Sequence, residues 1–232
     1  MRKTFIAVLV LLLVCSSAVF AATYDDGSYY YYDDSRLEDF LGLSIGSSFV
    51  YETYETASGK TVDKALQFYG GFSEFAFFND APLGIYLDAG VLVNVKDEYN
   101  PDVVTKSPAY ADVMLGLAYR TKMDGRTSFL LAAGPEFTYF TDKFTYIAPY
   151  IGTVYVEKTY MTMGLTLDAE LVYKLGGDFY ISVGGKGSVM FLKWMTKEET
   201  TWYDRTEESY VDDTDGYFGY RIVPKVSVYF KF

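Results

Sequence analysis

Residues 220–232 read Tyr-Arg-Ile-Val-Pro-Lys-Val-Ser-Val-Tyr-Phe-Lys-Phe. Every second residue from Tyr220 to Phe232 is apolar or aromatic, whereas the residues between them include Arg221, Lys225 and Lys231. Successive side chains of a β-strand point to opposite faces, so this pattern predicts a strand with one apolar and one polar face. A transmembrane β-barrel can end its chain on such a strand, because the last strand pairs with the first and removes the free edges of the sheet.

The same period of two recurs in seven earlier segments. They begin at about residue 40 and then cover 64–78, 85–96, 109–122, 127–140, 159–174 and 179–194. In the third segment, for example, Ile85, Leu87 and Ala89 alternate with Tyr86 and Asp88. Together with the terminal strand, these segments predict an all-β fold of eight antiparallel strands.

The connections between these segments alternate in length. Those after strands two, four and six are short and cover 79–84, 123–126 and 175–178. Those after strands three, five and seven are longer and cover 97–108, 141–158 and 195–216, while the first, 56–63, is intermediate. Short periplasmic turns and longer outer loops are typical of up-and-down transmembrane barrels, so residues 40–232 are predicted to form one.

The beginning of the chain has the pattern of a secretory signal. Arg2 and Lys3 precede an apolar run over residues 5–14, and Val19-Phe20-Ala21 is an acceptable cleavage site, so residues 1–21 are predicted to be removed on export. A lipoprotein signal at Cys15 is the alternative. Residues 22–39 are acidic and rich in tyrosine, which predicts a disordered tail.

The composition excludes several kinds of chemistry. The chain has no histidine, and Cys15 is its single cysteine. Histidine-based catalysis, thiolate metal sites and disulfides are therefore excluded from the mature chain, and no cofactor, metal or enzymatic activity is predicted. Loss of residues 1–21 removes two basic residues and no acidic one, which changes the net charge from −11 to −13. Such a chain repels nucleic acid.

Alternation alone does not decide which face of the strands points inward. A soluble barrel of the lipocalin type would bury its apolar face, whereas a membrane barrel turns that face to the lipid. The apolar faces here carry almost no charge, and the polar faces are rich in Gly, Ser and Thr, which fit a narrow lumen. The sequence therefore favours the membrane barrel.

On that interpretation the lumen contains charged side chains of both signs. They are Asp88, Asp112, Arg120, Glu136, Asp168, Glu170, Lys186, Arg221 and Lys225. An eight-stranded barrel is just wide enough to be filled by side chains, and an unpaired charge inside it would be costly. We therefore expect these residues to pair in a structural network. A proton or ion path is the first alternative, and a paired-carboxylate hydrolase using Asp168 and Glu170 is the second.

Aromatic residues gather at both ends of the predicted strands. Tyr51 and Tyr220 are examples at the outer end, and Phe77 and Phe230 at the inner end. Two rings of aromatic side chains separated by the thickness of a bilayer are typical of membrane barrels.

The last long connection, 196–216, is the most acidic segment and also carries aromatic residues. Trp202, Tyr203 and Tyr210 are predicted to be exposed contacts for a partner. Asp213 and Asp215 match part of a calcium-binding loop, but Val211 occupies the first ligand position of that pattern, so no metal site is assigned.

Residues 225–232 resemble the C-terminal assembly signal of bacterial outer-membrane barrels, through Lys225, Ser227, Phe230 and Phe232, with Ser227 where glycine is usual. The chain from 40 to 232 resembles the small eight-stranded outer-membrane proteins of the OmpA-barrel, OmpX and OmpW kind.

This resemblance implies a monomer in the cell outer membrane, with outer-membrane lipid and the barrel-assembly machinery as partners. It implies a structural or surface-binding function through the outer loops. A narrow OmpW-like conduit for small hydrophobic solutes is the alternative, although the charged lumen is more similar to the OmpX and OmpA kind.

Overall fold

The computed structural model describes residues 38–56, 59–78, 81–97, 109–148, 152–201, 206–212 and 216–232. The predicted signal 1–21, Cys15 and nearly all of the predicted tail 22–39 lie outside these ranges. The described strands are β1 (Glu38–Thr56), β2 (Gly59–Phe77), β3 (Leu83–Asp97), β4 (Ala109–Lys122), β5 (Thr127–Ala148), β6 (Gly152–Gly176), β7 (Phe179–Thr201), β8 (Thr206–Asp212) and β9 (Phe218–Lys231). Strand β1 thus begins at Glu38, inside the segment predicted to be the tail.

Eight of these strands close into a barrel. Strands β1 to β7 each pair with the next, and β9 pairs with both β7 and β1, always antiparallel. The closing seam runs from Phe40 opposite Lys231 to Thr53 opposite Phe218. The predicted eight-stranded, up-and-down, all-β barrel is therefore confirmed, and β8 is an additional strand paired with β7 outside the ring.

The two faces of the barrel wall have opposite chemistry. The apolar face of each strand is exposed, with Leu43, Leu117 and Val183 as examples. The polar face is buried, with Ser44, Gln67 and Asp88 as examples. A contiguous apolar exterior requires lipid, since a water-exposed barrel would bury that face. The soluble lipocalin-type alternative is therefore excluded. Within the described residues, no helix is long and apolar enough to span a membrane.

One end of the barrel carries the short turns and both ends of the described chain; we call it the turn end. The Phe232 amide donates to the Asp39 carbonyl at 3.0 Å. In the β4–β5 turn, the Asp124 carboxylate accepts the amides of Arg126 and Thr127 at 2.7 and 2.6 Å. These hydrogen bonds to the charged form hold the pKa of Asp124 below its usual value. Short turns mark this end as periplasmic.

At the opposite end the structure differs from the predicted loops. The first connection is not the interval 56–63, because β1 and β2 are joined through residues 57–58. Much of the predicted loop 141–158 is strand, since Ala148 of β5 pairs with Gly152 of β6. Much of the loop 195–216 is strand too, since β7 continues to Thr201 and pairs with β8.

These strand extensions form a four-stranded antiparallel sheet beyond the barrel. We call it the outer sheet; it comprises residues 141–148, 152–158, 195–201 and 206–212. The prediction ended the strands too early because it followed the apolar face, which stops at the membrane boundary. The extensions instead carry β-branched and aromatic residues such as Thr153, Val154, Tyr155 and Val156, which favour strands regardless of lipid.

We predict that Leu115→Arg destabilises the barrel. Leu115 lies at the middle of β4 and faces outward. A charge on the lipid face near the bilayer midplane costs about 2–4 kcal/mol. The matched control is Tyr155→Arg, because Tyr155 is equally exposed but lies in the outer sheet beyond the membrane.

The free energy of unfolding would be measured by urea titration in lipid vesicles. An equal decrease in the free energy of unfolding for Leu115→Arg and Tyr155→Arg would contradict the assignment of the β4 exterior to lipid.

Candidate functional site

Lys186 lies at the centre of the lumen with its side chain fully buried. It projects from β7, and its Nζ is 2.7 Å from Oδ1 of Asp88 and 3.2 Å from Oε1 of Glu136. It also contacts Asp112. The three carboxylates come from β3, β5 and β4, so a single cation joins strands on the far side of the barrel.

Lys225 of β9 forms the second half of this cluster. Its Nζ is 2.6 Å from Oδ2 of Asp168 and 2.9 Å from Oε1 of Glu170, both on β6. A third carboxylate, Asp88, has its Oδ2 3.8 Å away. Asp88 therefore lies between the two buried lysines and connects their carboxylate groups.

Arg221 completes the cluster nearer the outer end. Its Nη2 is 2.7 Å from Oε1 of Glu136 and 3.7 Å from Oδ2 of Asp112. Thr138 accepts a further hydrogen bond from it at 3.1 Å. We call the connected set the central network; its members are Asp88, Asp112, Glu136, Asp168, Glu170, Lys186, Arg221 and Lys225.

Three buried tyrosines fill the space around the central network. The Tyr69 hydroxyl donates to Asp88 at 2.9 Å, the Tyr86 hydroxyl to Asp168 at 2.5 Å, and the Tyr229 hydroxyl to Glu170 at 2.8 Å. Sequence reasoning did not assign these tyrosines to the site. The signal was present, because each falls on the polar face of its strand, where a tyrosine must point into the lumen.

The packing around the network leaves little free space. A Cβ added at Gly90 would collide with the Tyr69 ring and with the Asp112 carboxylate. Glycine on this face therefore allows large side chains from neighbouring strands to meet in the lumen.

The carboxylates of the network contact cations of the chain itself. Asp168 and Glu170, the candidate hydrolase pair, both contact Lys225, at 2.6 and 2.9 Å. Three carboxylate oxygens of the network, Oδ1 of Asp112, Oε1 of Glu136 and Oδ1 of Asp168, have no hydrogen-bond partner among the described residues, although Oε1 of Glu136 is ion-paired with Arg221. The described part of the chain contains no group of side chains suited to hold a metal ion.

Arg120, the remaining predicted lumen charge, lies apart from the central network. It forms an ion pair with Glu38 near the turn end, and its guanidinium is 4.5 Å from the centroid of the Phe77 ring and 5.6 Å from that of Phe40. Lys231 contacts the same Glu38 at 2.7 Å. We call these five residues the inner plug.

Phe77 is a correction to the predicted aromatic rings. It is fully buried in the lumen rather than placed on the lipid face. It follows Phe75 at a spacing of two residues, and both rings pack in the inward-facing cluster. The β2 segment thus carries apolar residues on its inner face at the turn end, where the simple rule of a polar inner face does not hold.

A third cluster lies toward the outer end of the lumen. The Lys193 Nζ is 5.1 Å from the ring centroids of both Tyr160 and Tyr217, and 3.5 Å from Oε2 of Glu52. The Tyr217 hydroxyl donates to Glu52 at 3.2 Å. We call these four residues the outer plug. Sequence reasoning did not place them in the lumen, although Glu52, Tyr160 and Lys193 lie within predicted strands. A register shift between β6 and β7 at Met163/Gly164 interrupts the simple alternation before Lys193.

The other predicted site residues fall into two groups. In the terminal segment, Ser227 accepts a hydrogen bond from Ser44 in the lumen at 2.8 Å, while Phe230 and Phe232 are exposed on the exterior. Their role as an assembly signal stays a prediction. The predicted loop contacts Trp202, Tyr203, Asp213 and Asp215 lie outside the described residues. Tyr210 belongs to β8, where its backbone is opposite Thr196.

Comparison with protein-family models gives no match, and comparison with curated protein sequences gives none either. Among solved structures, this chain is similar to a major outer membrane protein from Thermus thermophilus, with 13% identity, a TM-score of 0.58, and coverage of 83% of this chain and 99% of that one. It also matches Neisserial surface protein A, with 10% identity, a TM-score of 0.45, and coverage of 82% and 96%. The outer membrane protein AlkL matches with 14% identity, a TM-score of 0.45, and coverage of 90% and 97%.

The fold is that of the small eight-stranded outer-membrane β-barrels. The similarity to the Thermus protein concerns the fold alone, and the membrane assignment follows from the apolar exterior and the polar, charged lumen. The protein is an integral β-barrel of the outer membrane.

We predict that Lys186→Met destabilises the barrel strongly. Removing this cation leaves Asp88, Asp112 and Glu136 partly uncompensated in a buried site, and loss of one partner of a buried ion pair costs about 3–5 kcal/mol. Lys122→Met is the matched control, because Lys122 is exposed at the turn end and its loss should cost less than about 0.5 kcal/mol.

Unfolding by urea in detergent micelles, followed by heat-modifiable migration on gels, would measure both variants. Adding Asp112→Asn to Lys186→Met should restore part of the loss, since it removes one uncompensated charge. Equal stability of the two lysine variants would show that the central network contributes little.

Proposed function

We propose that this protein is a closed, non-enzymatic outer-membrane barrel that binds partners at the cell surface through its outer sheet. The observation that carries the proposal is the combination of a filled lumen with strands that continue far beyond the membrane. A transmembrane strand needs about 9–11 residues, whereas β6 has 25 and β7 has 23.

Closure of the lumen at three levels supports this proposal. The inner plug lies at the turn end, the central network at mid-depth and the outer plug near the outer end. Each level combines charged groups with aromatic rings, and at mid-depth these side chains are fully buried. A small solute would have to displace paired buried charges at every level, which is costly.

The chemistry of the last outer segment also supports a binding role. Residues 196–216 contain eight acidic residues and two basic ones, together with Trp202, Tyr203 and Tyr210. Aromatic residues dominate binding hot spots, and a concentrated negative charge attracts cationic partners and accelerates their association. A partner with a positively charged surface fits this segment best.

The second candidate function is a narrow conduit for small hydrophobic solutes. It requires an apolar and open passage, and the described lumen has neither property because its centre is charged and filled. The proposed barrel is therefore closed to solutes in its folded state.

We predict that the purified protein is electrically silent in planar lipid bilayers. The filled lumen offers no continuous water path, so no stable steps should appear in concentrated KCl at either polarity. A general porin in the same bilayer is the positive control. Reproducible single-channel steps from the barrel would favour the conduit instead.

We predict that deletion of residues 200–214 removes surface binding and leaves folding intact. The deletion takes out β8 and the end of β7, while the ring from β1 to β7 and β9 keeps its pairing. Cells carrying each form would be tested on surfaces coated with poly-lysine and, as the charge control, with heparin.

The intact protein should bind poly-lysine and not heparin, and the deletion variant should bind neither while remaining heat-modifiable. Unchanged binding of the deletion variant to poly-lysine would contradict the proposed role of the outer sheet.

A further inference from the structure

A groove of about 440 Å³ lies on the exterior of the barrel across β1, β2 and β9. Its lining residues are Phe49, Val50, Tyr51, Lys64, Ala65, Leu66 and Tyr220. The groove opens outward, away from the lumen clusters that close the barrel. Its surroundings are therefore the membrane and the membrane boundary.

The upper edge of the groove is a row of three side chains in register. Tyr51 of β1 is opposite Lys64 of β2 on one side and Tyr220 of β9 on the other. The Tyr51 and Tyr220 rings stack with centroids 5.0 Å apart and an interplanar angle of 16°. The Lys64 Nζ lies 6.0 Å from the Tyr51 centroid, within the range of a cation–π contact.

The row below, toward the turn end, is entirely apolar. Phe49 is opposite Leu66 on one side and Ile222 on the other, and all three side chains are exposed. The groove therefore has an apolar lower half and a polar upper edge with a positive charge. The upper edge lies near the start of β9 at Phe218, which places it at the outer boundary of the membrane.

We propose that this groove binds one anionic lipid of the outer membrane, with an acyl chain along Phe49 and Leu66 and a phosphate at Lys64. An occupant on this face has to be a lipid, because the lower half faces hydrocarbon. Its headgroup has to be anionic, because Lys64 offers the complementary charge in a chain whose net charge is −11. The Tyr51 and Tyr220 rings lie where the headgroup meets the hydrocarbon, the depth that amphipathic aromatic rings prefer.

In the pairing of β1 with β2, Lys64 is not opposite an acidic residue. Glu55 is the nearest exposed acid of β1, and its opposite residue on β2 is the basic Lys60. Lys64 lies four residue pairs closer to the membrane, opposite the aromatic Tyr51 rather than an acid. This site is independent of what the outer sheet binds.

Native mass spectrometry in detergent micelles tests the proposal, with phosphatidylglycerol and phosphatidylcholine added at equal concentration. The wild-type protein should retain one phosphatidylglycerol about fivefold more strongly than phosphatidylcholine, as about 1 kcal/mol per lysine near an anionic lipid surface implies. Lys64→Gln should abolish this preference, whereas the control Lys122→Gln, at the opposite end of the barrel, should keep it.

A second variant tests the apolar half separately. Phe49→Ser should weaken retention of both lipids to the same degree, because it removes packing without changing the charge. Heat-modifiable migration checks that every variant is folded.

Equal retention of the two lipids by the wild-type protein would overturn the proposal. The same preference for phosphatidylglycerol in Lys64→Gln and Lys122→Gln would overturn it too. Dimer peaks that replace the lipid peaks and disappear in Phe49→Ser would also overturn it, by showing that a second copy of the chain occupies the groove.

Discussion

Every backbone amide and carbonyl inside a bilayer has to find its hydrogen-bond partner within the protein, because lipid offers none. A sheet meets this requirement only when it has no edges, so the pairing of β9 with β1 decides whether the rest of the structure can exist. Closure then fixes the two faces of the wall. The outer face contacts lipid and is apolar. The inner face encloses a space that is too narrow for bulk water, so side chains have to fill it.

The filled lumen explains why the conspicuous charges of this chain are paired with one another. The central network resembles an active site in its density of buried carboxylates, but each carboxylate contacts a lysine or an arginine. Two surfaces of the described barrel lie outside the lumen. One is the outer sheet, and the other is the lipid-facing wall with its groove beside Lys64.

The eight strands of the ring could be predicted from the sequence. Lipid on one side and the lumen on the other impose an alternation of apolar and polar residues, and this alternation is visible in each segment. It also placed charged residues such as Asp88 and Lys186 on the inner face. It could not give their pairing, since these two residues are 98 positions apart and meet only through the registers of several strands. The outer sheet was missed because strands outside the membrane no longer need an apolar face. Phe77 was misplaced because the inner plug is aromatic where a polar inner face was assumed.

The distribution of the buried charges over the chain has a consequence for the order of events in folding. Lys186 needs carboxylates from β3, β4 and β5, and Lys225 needs those of β6, so no isolated hairpin contains a balanced set. A partly assembled sheet would expose single charges to hydrocarbon, at a high cost in free energy. We therefore expect closure of the barrel to be coupled to its entry into the membrane. The same cost would oppose partial opening of the folded barrel, which would slow its unfolding.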